Sequence, residues 1–196
     1  QTTAGDHLNH GGATQPDTTA QPDGLPAELM ASFSSMVWGT SAAETLNVEV
    51  DSWGDTYLNA GDGNDVLLGY YGNDVFVGGA GDDIINGSDG HDLAIYGTAV
   101  EAAQFKWKGS DLQVSTAVDG TDTLTTVESL MFADGMFEIA TGTTDTGGTT
   151  AYSGDKRAVM VGGQGDDTLV GGAKDDVLTY SASGDNATNA SVNGRD

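Results

Sequence analysis

Between Ala60 and Ile95 the chain repeats itself every nine residues. Asp65, Asp74, Asp83 and Asp92 stand nine apart, and Gly63, Gly72, Gly81 and Gly90 keep the same step. The copies read Ala60-Gly61-Asp62-Gly63-Asn64-Asp65-Val66-Leu67-Leu68, then Gly69 to Val77, Gly78 to Asn86 and Gly87 to Ile95. Asp51 to Asn59 is a worn copy, and Gly39 to Asn47 reads as a decayed opening one. Each copy is a glycine-rich turn followed by a triplet whose middle residue is apolar. Glycine supplies positive φ and close backbone approach in the turn. The triplet is too short to stand alone and must stack in parallel on its neighbours. One copy makes half a coil and two make a turn of 18 residues. Copies two apart therefore share an edge: Asp65 with Asp83, Asp74 with Asp92, and Asp167 with Asp185. Leu67, Phe76, Ile85 and Ala94 point inward from alternating sides, as do Leu169 and Leu178.

That stacking is electrostatically costly as it stands. Residues 60–95 carry seven Asp and neither Lys nor Arg. Across the 196 residues, acidic side chains number 30, of which 24 are Asp, against 6 Lys and Arg, for a formal charge of −24. Asp combined with 30 Gly is the mixture of tight turns and hard-cation sites. Like charges in close rows repel, so something must neutralise them. A hard divalent cation between successive turns does so, using carboxylate oxygens and the carbonyls that glycine turns expose. With no Cys and little His, zinc and copper are disfavoured and calcium remains. The same charge argues against nucleic acid and anionic membrane as partners, and no apolar run is long enough to span a bilayer.

The copies resemble the RTX (hemolysin-type) calcium-binding repeat, Gly-Gly-x-Gly-x-Asp-x-U-x. The resemblance implies a parallel β-roll with calcium between turns, held by Asp side chains and carbonyls of the glycine-rich turn. Carried over residue by residue, the metal-site candidates are Asp65, Asp74, Asp83, Asp92, Asp167, Asp176 and Asp185, with Gly61, Gly63, Gly72, Gly79, Gly81, Gly90, Gly163 and Gly165 in the turns. Thr56, Lys174 (in the copy Gly171 to Thr179) and the missing glycines of the last copies depart from the pattern and should weaken or remove ions at the roll ends. Asp122 to Gly135 is also similar to the β-structure that follows the roll in serralysin-type C-terminal regions.

The expected fold is all-β: a parallel β-roll in two segments, 39–97 and 153–196, flanking a β-hairpin or sandwich-like unit at 98–139. Residues 1–24 read as a polar tail and 140–152 as a Gly/Thr linker. In 25–38, Leu25, Leu29, Met30, Phe33, Met36 and Val37 share one helical face, and the spacing predicts a short amphipathic helix. Phe105 to Lys108 and Leu112 to Ser115 alternate around Gly109-Ser110 and read as a hairpin.

Catalytic motifs are not found. There is neither a His-Glu-x-x-His stretch nor a Gly-x-Ser-x-Gly elbow. His7 and His10 lie in the polar tail, and His91 fills a variable repeat position. Trp53, Tyr70, Tyr71 and Trp107 read as core or contact aromatics before a ligand surface. The expected function is therefore a secreted, non-catalytic calcium-binding protein that folds on calcium. It would act as a structural, self-assembling subunit of a filament, matrix, surface layer or adhesin. Its partners would be calcium ions, further copies of itself in a homo-oligomer or polymer, and cell-surface or matrix components. The alternative is a calcium-binding secretion and folding module of a larger secreted hydrolase or epimerase. The family's type I secretion agrees with the lack of an N-terminal signal pattern in residues 1–24.

Overall fold

The computed structural model describes residues 31–47, 53–140, 150–152, 156–162, 168–172, 174–180 and 189–191. It is an all-β parallel solenoid of about six turns. In chain order the strands are β1 (Ser35–Trp38), β2 (Thr45–Asn47), β3 (Thr56–Asn59), β4 (Val66–Leu68), β5 (Val75–Val77), β6 (Ile84–Asn86), β7 (Leu93–Ile95), β8 (Gln104–Lys108) and β9 (Asp111–Thr116). There follow β10 (Gly120–Thr125), β11 (Ser129–Phe132), β12 (Gly135–Ile139), β13 (Thr150–Tyr152), β14 (Ala158–Gly162), β15 (Thr168–Val170), β16 (Val177–Tyr180) and β17 (Asn189–Ser191).

The nine-residue period sends alternate copies to opposite sheets. The eight-stranded sheet runs β1-β3-β5-β7-β11-β12-β14-β16 and the six-stranded sheet β2-β4-β6-β10-β9-β8, with β13-β15-β17 forming a third. Successive strands on one side pair in parallel 18 residues apart, as in Val66↔Ile84 and Tyr57↔Val75. At the start of the roll the step is 21, Ser35↔Thr56 and Thr45↔Val66. Each triplet buries its middle residue: Leu67 and Phe76 are wholly buried, and Ile85 and Ala94 nearly so. These residues form one core with Leu46, Leu58, Leu112, Val114, Leu124 and Leu130. Leu169 is buried beside Met160, with Leu178 packed against them.

Residues 98–139 extend the roll. The antiparallel hairpin β8–β9 continues into β10, which returns to pair in parallel with β6, Leu124↔Ile85. β11 likewise pairs in parallel with β7, Leu130↔Ala94, and turns back antiparallel into β12. Trp107 is buried, and its indole Nε1 donates to the Val161 carbonyl at 3.0 Å, tying the hairpin to β14.

The helix expected at 25–38 is corrected by the structure. Residues 25–30 lie outside the described residues, and Ser35–Trp38 is a strand paired in parallel with β3. The apolar spacing fits both forms. The exposed edge of β3 offers Ser35–Trp38 a ladder of backbone partners, and Ser34 N–H extends it to the Asp55 carbonyl at 2.7 Å. The one helical element among the described residues is a 3-10 turn at Val100–Ala102.

Phe76 sits at the centre of the shared core. Phe76→Ala should cost about 3–5 kcal/mol, the usual range for a buried aromatic. Denaturant unfolding of the calcium-loaded protein checks it.

Candidate metal centre

Two acidic ladders run along the roll, one on each edge. On the first, the Asp65 carboxylate Oδ1 accepts from Glu44 N–H at 2.7 Å, Asp83 Oδ1 accepts from Asp65 N–H at 2.8 Å, and Asp122 Oδ1 accepts from Asp83 N–H at 3.0 Å. On the second, Asp74 Oδ1 accepts from the Thr56 N–H and hydroxyl at 2.8 and 2.6 Å. Asp92 Oδ1 accepts from Asp74 N–H and Glu128 Oε2 from Asp92 N–H, both at 2.8 Å. Asp65, Asp74, Asp83, Asp92 and Asp122 are each 0–1 % exposed.

One oxygen of each repeat carboxylate is thus committed to the neighbouring turn. The other is not: Oδ2 of Asp65, Asp74, Asp83 and Asp92 is buried without a hydrogen-bond partner. A buried unpartnered acceptor is costly, and more so when charged. In three of the copies Oδ2 lies over the first residue of its own turn, so that a β-carbon on Gly69, Gly78 or Gly87 would collide with Oδ2 of Asp74, Asp83 or Asp92. The point above Gly69 also meets the Gly87 carbonyl oxygen, contributed by the next turn, at 2.9 Å. Carboxylate and carbonyl oxygens converging between turns form an all-oxygen donor set that fits a hard cation. Among the described residues no three acidic or imidazole side chains cluster tightly enough to hold an ion unaided. Backbone carbonyls are needed to complete any site.

Turn conformation decides which copies remain open. The second residue of each central copy is left-handed: Gly61 at φ 92°, Tyr70 at 73°, Gly79 at 95° and Ser88 at 72°. In two other copies the acid's second oxygen is taken by the N–H of that second residue. Thr40 N–H donates to Glu44 Oε2, and Gly172 N–H donates to Asp176 Oδ2, both at 2.8 Å. Asp176 Oδ1 accepts from Ala158 N–H at 2.9 Å. Its copy is the one with Lys174 in place of a turn glycine.

The sequence candidates divide accordingly. Asp65, Asp74, Asp83 and Asp92 are brought into ladders, with Gly61, Gly63, Gly72, Gly79, Gly81 and Gly90 left-handed in the turns between them. Asp176 has both oxygens engaged, Oδ1 by Ala158 N–H and Oδ2 by Gly172 N–H of its own turn. Asp167, Asp185, Gly163 and Gly165 lie outside the described residues, as do His7 and His10. Asp122 and Glu128 were not among the candidates, yet both occupy ladder positions. Gly120-Thr121-Asp122-Thr123-Leu124 carries the Gly-x-Asp-x-U signal that could have identified Asp122. Of the aromatics, Trp53 and Tyr71 stack at 4.6 Å on the surface. His91 Nε2 lies 3.4 Å from Glu138 Oε2.

Burial pushes Asp92 and Asp122 up to about 7 and Asp83 up to about 6, opposed by their backbone donors and reinforced by neighbouring carboxylates. Asp65 and Asp74 are raised by burial as well.

The family model of the RTX calcium-binding nonapeptide repeat matches residues 52–81, 59–94 and 160–179. These segments are RTX repeats, a class that binds calcium. No curated protein matches the chain. Among solved structures it is similar to the extracellular lipase LipA from Serratia marcescens, at 15 % identity and a TM-score of 0.30. The match covers 74 % of this chain and 28 % of that one, so the chain spans under a third of the lipase's length. No helix among the described residues is long and apolar enough to cross a membrane.

The raised carboxyls make the metal-free roll acid-stabilised. Between the ordinary carboxyl pKa and about 7 the folded chain holds protons that the unfolded chain releases, so stability falls as pH rises through that window. In chelator, circular dichroism should show more β-structure at about pH 4.5 than at about pH 7.5. Calcium titrations should show the opposite trend, with weaker apparent affinity at the lower pH, because the ion displaces those protons.

Proposed function

We propose that the protein is a secreted, non-catalytic calcium-binding protein that folds on calcium and serves as a structural, self-assembling subunit outside the cell. The observation that carries the calcium half is the row of buried, unpartnered Oδ2 atoms on Asp65, Asp74, Asp83 and Asp92. In this reading the ions are held by those carboxylates and by carbonyls of the turns between Gly61 and Gly90. Extracellular-type sites work at a Kd of about 10⁻⁴–10⁻³ M, so the chain stays unfolded where calcium is scarce and folds where it is plentiful.

Self-assembly is supported by the way the roll begins. β1 and β2 are the outermost strands of their sheets at the same end, and among the described residues neither has a second strand neighbour. Outermost strands of a sheet are templates for another chain. Copies of this protein carry strands of the same length and register.

Circular dichroism with light scattering, in calcium and then in chelator, tests both halves. Calcium should raise the β-signal and the particle size together, and chelator should reverse both. An unchanged β-signal in chelator overturns calcium-coupled folding. A β-signal that responds while the particle stays monomeric overturns self-assembly. That outcome favours a calcium-binding folding module of a larger secreted hydrolase or epimerase.

A further inference from the structure

The first run of the nonapeptide match ends at residue 94 and the next begins only at residue 160, but the second acidic ladder continues past 94. β11 adds to β7 in the register a further repeat would use, Leu130 beside Ala94. Glu128, two residues before Leu130 as each repeat Asp is two before its apolar residue, accepts from Asp92 N–H at 2.8 Å. This is the bond that Asp92 itself accepts from Asp74. The chain reaches this position through a connection much shorter than a repeat turn, and the extra methylene of Glu spans the difference.

The carbonyl side of the arrangement is reproduced as well. Above Gly69 the Asp74 Oδ2 meets the Gly87 carbonyl of the next turn. Above Gly87 the Asp92 Oδ2 meets the Thr126 carbonyl, and a β-carbon at Gly87 would strike both oxygens. Thr126 is held for this with φ at 49°, and its hydroxyl oxygen accepts from Ser88 N–H at 2.7 Å. Ser88 is the left-handed second residue of its turn, and its N–H goes to Thr126 rather than to Asp92. The Asp92 side chain is fully buried, and its Oδ2 is without a partner.

We propose that Asp92 Oδ2, the Thr126 carbonyl and the Glu128 carboxylate form a calcium site at the end of the second ladder, outside the repeats. The proposal rests on the reading that the repeat carboxylates are calcium ligands. Glu128 then does more than cap the Asp92 N–H: it supplies the charge that a further repeat Asp would have brought. The site joins the roll to β11, so its ion couples the folding of residues 126–139 to that of the repeats.

Native mass spectrometry of the full chain in calcium counts the bound ions in the wild type, Glu128→Gln and Asp74→Asn. Gln keeps an oxygen acceptor for Asp92 N–H and removes the charge. One calcium fewer in Glu128→Gln supports the site. A full complement overturns it and leaves Glu128 as a cap. If Asp74→Asn loses an ion while Glu128→Gln does not, the repeat reading stands and this proposal falls. If neither loses one, the repeat reading itself falls. Wild-type crystals with terbium in place of calcium give a test that does not depend on a variant folding. An anomalous peak at about 2.3–2.6 Å from Asp92 Oδ2 and the Thr126 oxygen is expected. Peaks in the repeat turns with none there overturn the site.

Discussion

The structure depends on burying rows of carboxylates between stacked turns. Oδ1 of each repeat Asp accepts a backbone N–H from the turn before it, so the roll's backbone needs the carboxylates in place. Oδ2 then lies buried with nothing to accept from. Leaving such an acceptor unmet costs about 1–3 kcal/mol, more when it is charged, and four of them weigh heavily against a marginal folding free energy. Two agents can relieve this. A proton on the carboxyl does so at low pH, which is the meaning of pKa values pushed up to about 6–7 at Asp83, Asp92 and Asp122. In the proposed reading calcium would do so at neutral pH, with the turn carbonyls as further ligands.

Left-handed residues at the second turn position connect the repeat sequence to this chemistry. At Gly61, Tyr70, Gly79 and Ser88 φ is positive, and in those copies the acid's Oδ2 has no hydrogen-bond partner. At Thr40 and Gly172 the N–H does reach the acid of its own turn, so the second oxygens of Glu44 and Asp176 are taken. Glycine adopts this conformation freely, whereas a residue with a side chain incurs about 1–2 kcal/mol. That Tyr70 and Ser88 sit there at all shows how strongly the neighbouring turns impose it. Tyr70 recovers part of the cost by packing against the core.

Much of this was legible in the residues alone. The strict nine-residue spacing of Asp65 to Asp92 implied alternate sheets, an 18-residue turn, the pairing of Asp65 with Asp83 and of Asp74 with Asp92, and the inward direction of Leu67, Phe76, Ile85 and Ala94. Four features were not called from the sequence, each for a physical reason. The apolar spacing of 25–38 satisfies a helix as well as a strand, and only the open edge of β3 favours extended structure at Ser35–Trp38. Asp122 carries the local Gly-x-Asp-x-U pattern, but it stands 39 residues from Asp83, outside the nine-residue spacing, because a hairpin leaves the roll and returns. Glu128 has no spacing signal at all, because its connection is shortened and its longer side chain compensates. The engagement of Asp176 Oδ2 by Gly172 N–H depends on the backbone of that turn, for which Lys174 was only an indirect sign.

The non-repeat segment also gives the roll two unlike ends. β8 is the last strand of the six-stranded sheet, and it exposes Lys106 and Lys108, two of the six basic residues in the chain. Lysine on an outer strand is a common guard against edge-to-edge pairing. At the other end of the same sheet the outer strand is β2, Thr45-Leu46-Asn47, which carries no charge. A sheet guarded at one edge and uncharged at the other favours addition at the β1/β2 end. Such addition would be strand-parallel only if the incoming chain presents its strands in the same direction. The proposed assembly would therefore be directional, with its register set by the same triplets that stack within one chain. Calcium would act on it indirectly, because the β2 edge is built on β4, and β4 is tied into the stack by the ladder through Asp65 and Asp83.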